Sequence, residues 1–120
     1  MTEWNWPNFT HDEFVCRHCG SDGLKTEAKD KIQELRTRLG RPLRINSAYR
    51  CPEHNAAVGG AINSRHKVGD AFDINTQGWT KEDRHELYVI AREIGFTGFG
   101  GYSSFIHVDL GIAREWGEKL

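Results

Sequence analysis

Along residues 25–39 the apolar positions Ala28, Ile32, Leu35 and Leu39 recur every three or four residues, one stripe on a helix of 3.6 residues per turn. Gly40 and Pro42 stop that helix. "LRINSAYR", residues 43–50, alternates between apolar and polar positions and predicts a strand. "PEHNAAV" predicts a short helix with Pro52 in its first turn, where the missing N–H has no helical partner to lose. "GGAINS" reads as a loop, and "AFDIN", residues 71–75, as a short buried strand. Thr80 caps a second long helix, with Asp83 placed three residues on to complete a capping box. Leu87, Ile90, Ala91 and Ile94 form its buried stripe, and Gly95 ends it. "FTGFGGY" and "FIHVDL" predict two strands joined by a turn at Ser103 and Ser104. The resulting order predicts an α+β fold, a small, mainly antiparallel sheet with helices packed on one side. Residues 1–23, irregular and rich in aromatics (Trp4, Trp6, Phe9, Phe14), are expected to pack as a flap on a single domain spanning 1–120.

Composition narrows the function classes. A chain of 120 residues can bury one core without disulfide or metal staples. A formal net charge of -1, with basic residues spread along the chain, gives no electrostatic case for nucleic acid. No run approaches the roughly 18 apolar residues of a membrane span, so no membrane insertion is expected. "MTEWNWPNFTHDEF" has no basic region followed by an apolar run, so synthesis in the cytoplasm without a signal peptide is expected. A monomer is expected.

The chemistry concentrates in "SRHKVGDAFDIN", residues 64–75. His66 and Asp73 offer an imidazole nitrogen and a carboxylate oxygen, both good Zn²⁺ ligands. On one helix their spacing would separate them by roughly 10 Å, too far for one ion, and Gly69 disfavours a helix there. A turn at Gly69, followed by a strand carrying Asp73, can bring the two side chains to one point, with the small Ala71 close to or beneath the site. "FIHVDL" supplies a third ligand in His107, and a strand points His107 and Asp109 to the same face. Two His and one Asp leave a fourth position for water, the pattern of a catalytic rather than a structural zinc. The plainer reading makes His66 a loop residue and His107 a hydrogen-bonded core histidine.

Cys16, Cys19 and Cys51 are an odd set, which in an unexported chain argues against a disulfide framework. Cys16 and Cys19 form a C-x-x-C pair. Cys51 could add a third thiolate, and His11, His18 or His54 a fourth ligand, giving a second, structural zinc that ties the N-terminal segment to the core. Plain thiols, or a disulfide from Cys51 to Cys16 or Cys19, are the alternatives.

"SRHKVGDAFDI" fits S-x-H-x-x-G-x-A-x-D and resembles the zinc site of the D-alanyl-D-alanine metallopeptidases. That group includes VanX-type dipeptidases, VanY-type carboxypeptidases and phage endolysin peptidases, and shares the fold of the Hedgehog signalling domain. "INSAYRCPEHNAAVGGA" resembles the preceding segment, S-x-Y-R-x-P-x-x-N, and "GFGGYSSFIHVDLG" the closing strand of a subfamily ending in H-V-D. The likeness covers roughly residues 24–116. It implies His66, Asp73 and His107 as zinc ligands, Arg50 as the group holding the substrate carbonyl or developing oxyanion, and Ser64 as a hydrogen-bonding support. Many relatives place a Glu, Asp or His shortly before the last ligand as general base. Here Ser104, Phe105 and Ile106 stand there, so Asp109 is taken as the base, with orientation of an imidazole as its alternative role. Asp70 and His54 are weaker candidates. Trp79, Phe99 and Tyr102 are candidates to line a substrate groove, with core packing as the alternative for each. The resemblance implies a zinc peptidase that cuts peptidoglycan stem or cross-bridge peptides, as a D,D-carboxypeptidase or an endopeptidase. An endolysin acting on the wall after phage-assisted release fits this reading. The competing reading is a zinc-containing peptide- or wall-binding module on the same fold. A redox or zinc-ribbon protein built on the C-x-x-C pair is the weakest of the three.

Overall fold

The computed structural model describes residues 6–16, 19, 20, 22–57 and 65–120, the side chains of residues 52–54 apart. In chain order the elements are α1 (His11–Phe14), α2 (Thr26–Leu39), β1 (Arg44–Ser47), α3 (Pro52–Ala57), α4 (Arg65–Val68), β2 (Ala71–Asn75), α5 (Lys81–Ile94), β3 (Gly98–Gly101), β4 (Phe105–Asp109) and β5 (Arg114–Gly117). The loop expected at "GGAINS", and with it Ser64, lies outside the described residues.

The two long helices follow from their sequence signals. α2 ends at Gly40, whose left-handed backbone (φ 73°) lets its N–H reach the Arg36 carbonyl. α5 begins with the expected capping box: Thr80 Oγ1 accepts from the Asp83 N–H at 3.1 Å, and the Asp83 carboxylate accepts from the Thr80 N–H. Ala28, Ile32 and Leu35 of α2, and Leu87, Ala91 and Ile94 of α5, bury their stripes in one core. Trp6, Phe9 and Phe14 join that core, and the Trp6 indole donates to Asp30 at 3.0 Å. The N-terminal aromatics among the described residues are therefore core residues, held by ordinary packing.

The five strands form one sheet in the order β1-β2-β4-β3-β5. All neighbours are antiparallel except β3 and β5. The sheet thus matches the expected α+β class. Because side chains alternate along a strand, its two faces differ completely. Phe72, Ile74, Ile106, Val108 and Phe99 face the core. On the other face, one row across the sheet reads Ser47, Asp73, His107, Gly100, Trp116, and the next Ala71, Asp109, Gly98, Arg114.

Two elements depart from expectation. α4 is a one-turn helix leading into the turn at Gly69, where no helix was expected, and it carries His66 to the polar face. So not every helix serves the apolar side. Gly69 does make the predicted turn: its φ is 88°, and a Cβ there would come within 2.0 Å of the Gly23 carbonyl oxygen, so only glycine fits. The strand β5 was not predicted at all, since "REWG" has no apolar alternation.

Candidate metal centre

Register brings two of the expected ligands together. Asp73 in β2 lies directly opposite His107 in β4, so their side chains stand side by side on the polar face. His66 arrives from α4. Its Nε2 lies 3.2 Å from Asp73 Oδ1, and His107 Nδ1 lies 3.0 Å from the same oxygen. The three ligand atoms all fall within 4.8 Å of one another.

What these atoms offer is set by the opposite nitrogen of each ring. His66 Nδ1 sits 2.6 Å from the Ala48 carbonyl oxygen, which can only accept, so that nitrogen carries the proton. His107 Nε2 sits 2.6 Å from Asp109 Oδ2, which fixes the other ring the same way. In the neutral rings, His66 Nε2 and His107 Nδ1 are then both lone pairs, aimed at a carboxylate oxygen that is also an acceptor. Three converging acceptors repel one another unless a cation sits among them. For ligand bonds of about 2.0–2.1 Å in a tetrahedron, ligand atoms stand about 3.3 Å apart. The separations of 3.2 and 3.0 Å come close to this edge, so the residues fit a divalent metal ion. In the metal-free protein, burial works to raise the Asp73 carboxyl, but hydrogen bonds that His107 and His66 donate when their rings carry a second proton outweigh it and hold the group well below the carboxylate range. Burial pushes His107 down, and its bonds to Asp109 and Asp73 push it further up, leaving it raised.

Asp109 was expected to be the base, and the structure occupies it otherwise. The residue is fully buried. Its Oδ2 accepts from His107 and from Arg114 Nη2 at 2.8 Å; its Oδ1 accepts from Arg114 Nη1 at 3.0 Å and from the Gly111 N–H at 2.9 Å. Burial opposes ionisation, but these partners overcome it and keep the carboxylate charged. A carboxylate so engaged orients the imidazole. Asp70 is likewise taken, by an ion pair with Arg65. The His54 side chain lies outside the described residues.

Arg50 is half-buried, and its backbone N–H donates to the His66 carbonyl at 3.1 Å. Its guanidinium Nε is buried and has no hydrogen-bond partner among the described residues. Of the three aromatics considered for the groove, Phe99 is buried against Tyr88 of α5, and Trp79 packs under the Arg41 guanidinium. Tyr102 is exposed; it stacks on Phe105, and its hydroxyl accepts from the Trp116 indole at 2.8 Å.

Arg114 and Trp116, both on β5, were missed from sequence. The Trp116 ring lies 5.2 Å from the His107 ring, centroid to centroid. Both residues lie over glycines of β3: a Cβ at Gly98 would meet Asp109 Oδ1 at 2.1 Å and Arg114 at 2.4 Å, and one at Gly100 would meet the Trp116 ring at 2.5 Å. The alternating glycines of "GFGG" were the available signal, since bare positions on one strand face mark something lying over them.

A sequence model of the peptidase M15 family matches residues 7–109. The zinc D-Ala-D-Ala carboxypeptidase of Streptomyces albus G is 34% identical over 129 residues, an alignment covering 91% of this chain and 48% of that protein. The peptidoglycan L,D-endopeptidase MepK of Escherichia coli K12 is 29% identical over 94 residues, covering 72% of this chain and 51% of MepK. The chain spans about half the length of these curated relatives. With its ligand-type residues, register and sheet in place over the matched span, the chain belongs to the peptidase M15 family.

Proposed function

We propose that this chain is a zinc-dependent peptidase that hydrolyses peptidoglycan stem or cross-bridge peptides, with His66, Asp73 and His107 as the metal ligands. The observation that carries the reading is the convergence of His66 Nε2, Asp73 Oδ1 and His107 Nδ1, with the other nitrogen of each ring already anchored. The names of the two relatives support the substrate class and the metal. A bound zinc supplies an activated water and polarises the scissile carbonyl.

The chain's own groups do the positioning. The Ala48 carbonyl holds His66 in the tautomer that presents Nε2. Asp109, itself clamped by Arg114 and Gly111, holds His107 in the tautomer that presents Nδ1. Arg50, with its buried Nε, is assigned to the substrate carbonyl oxygen as negative charge develops there. Tyr102 and Trp116 form an aromatic wall beside His107 that can hold an extended peptide. Ser64 keeps the supporting role implied by its place in the motif.

One observation favours the binding-module alternative: Asp109 is committed to His107 and Arg114, and the residues just before His107 offer no base. One experiment separates the two. Purified protein is incubated with peptidoglycan and the fragments are identified by mass spectrometry. New amine termini, lost on chelation and restored by zinc, establish the peptidase and name its bond. Zinc bound without cleavage establishes the module. Lysis of whole cells from outside tests the endolysin setting within the same class.

A further inference from the structure

Away from this centre, the Sγ atoms of Cys16, Cys19 and Cys51 also lie within 4.8 Å of one another. They come from two chain segments, residues 16–19 and residue 51. Cys16 is buried, Cys51 half-buried and Cys19 exposed. Just after the C-x-x-C pair, the Gly20 N–H donates to the Cys16 carbonyl at 2.7 Å, and Gly20 adopts φ 74°. From the other segment, the Cys51 N–H donates to Cys16 Sγ at 3.4 Å. Backbone N–H groups directed at sulfur favour its ionised form.

We propose that Cys16, Cys19 and Cys51 bind a second metal ion, a thiophilic d¹⁰ cation such as Zn²⁺, with a structural role. Around a tetrahedral zinc with Zn–S bonds of about 2.3 Å, sulfur atoms stand about 3.8 Å apart, and the three sulfurs here all lie within 4.8 Å of one another. Binding releases the thiol protons to solvent, and no oxidant or reductant is involved. His11 is not part of the cluster; His18 and the His54 side chain lie outside the described residues.

The position gives the ion its use. Residues 48–51 run directly from the His66 anchor to Cys51: the Ala48 carbonyl fixes the His66 ring, the Tyr49 N–H donates to the Phe14 carbonyl, and the Arg50 N–H holds the His66 backbone. A metal gripping both Cys51 and the segment after Phe14 fixes this strut at its end. This coupling rests on His66 being a ligand of the first centre; the thiolate site does not.

The test uses the whole chain loaded with Co²⁺ in place of zinc. A thiolate-to-cobalt charge-transfer absorption is expected in the unmodified protein. It is also expected in the His66→Ala, His107→Ala double variant, where the first centre is destroyed, and is absent from Cys16→Ser, Cys51→Ser. Elemental analysis of the zinc form is expected to give about two ions per chain, falling to about one in either double variant. About one ion per chain in the unmodified protein with no thiolate-to-cobalt absorption would overturn the proposal. So would a mass lower by two hydrogens, showing a disulfide among the three cysteines in protein purified under reducing conditions. Should the double cysteine variant fail to fold, the cobalt spectrum of the unmodified chain decides alone. A Cys51→Ser chain that folds should bind zinc at the first centre about tenfold more weakly.

Discussion

The two faces of the sheet are made by the same strands and obey opposite rules. On one, Phe72, Ile74, Ile106 and Val108 fill space among α2 and α5, and any well-shaped apolar set would serve. On the other, Asp73, His107 and Asp109 stand beside the small residues Ala71, Gly98 and Gly100, and the ring nitrogens of His107 face Asp73 and Asp109. β4 shows the contrast within a single strand: Ile106 and Val108 turn inward, His107 and Asp109 outward. The apolar face carries the packed core, and the polar face carries the residues proposed to hold the metal. Changes on one face should therefore move one property and largely spare the other.

The sharpest break comes on the polar face. His66→Ala or Asp73→Ala should bring peptidoglycan cleavage below detection and remove the zinc bound by this centre, while circular dichroism and the unfolding midpoint of the metal-free protein stay near those of the parent. A metal-loaded His66→Ala chain that still cleaves would sink the assignment. On the apolar face, Phe72→Ala should cost about 3–5 kcal/mol of stability, read by denaturant unfolding. In the fraction that remains folded, zinc affinity should hold, because Phe72 and Asp73 point to opposite faces.

Most of the apolar face was legible in the sequence, and only part of the polar one. The stripes of α2 and α5 and the caps at Thr80, Gly40 and Gly95 are local signals, and local signals suffice when a helix ends where its own residues say so. The convergence of His66, Asp73 and His107 was legible because residue type, a glycine turn and a likeness to a known family pointed the same way. The state of Asp109 was not. Whether a carboxylate is a base or a clamp depends on Arg114, and Arg114 reaches it only because β5 pairs in parallel with β3. Nothing in "REWG" announces that pairing. The one-turn α4 was missed for a related reason: four residues carry too little periodicity to show a helix.

Arg114 tests whether the polar face extends to β5. Arg114→Ala leaves the buried Asp109 carboxylate with only His107 and the Gly111 N–H among the described residues, so the His107 ring loses a fixed orientation. Zinc affinity of the first centre should fall about 10- to 100-fold, measured by competition with a chelator. Arg114→Lys should recover little, because an ammonium cannot reproduce the two-pronged contact with Oδ1 and Oδ2. Equal affinity in all three chains would show that Asp109 needs no clamp.

The smallest expected effect provides the control for all the others. Thr80 caps α5 and is not among the proposed ligands, and its Oγ1 takes up the Asp83 N–H that would otherwise be left without a helical partner. Thr80→Ala should cost about 1 kcal/mol, a fall in melting temperature of about 4 °C, and should leave zinc affinity unchanged. If the cap alone weakened metal binding, the two faces would not be separable, and the loss at Arg114→Ala would have to be credited to stability rather than to the clamp on Asp109. If affinity holds while stability drops, a loss of affinity without a comparable loss of stability identifies a residue of the polar face.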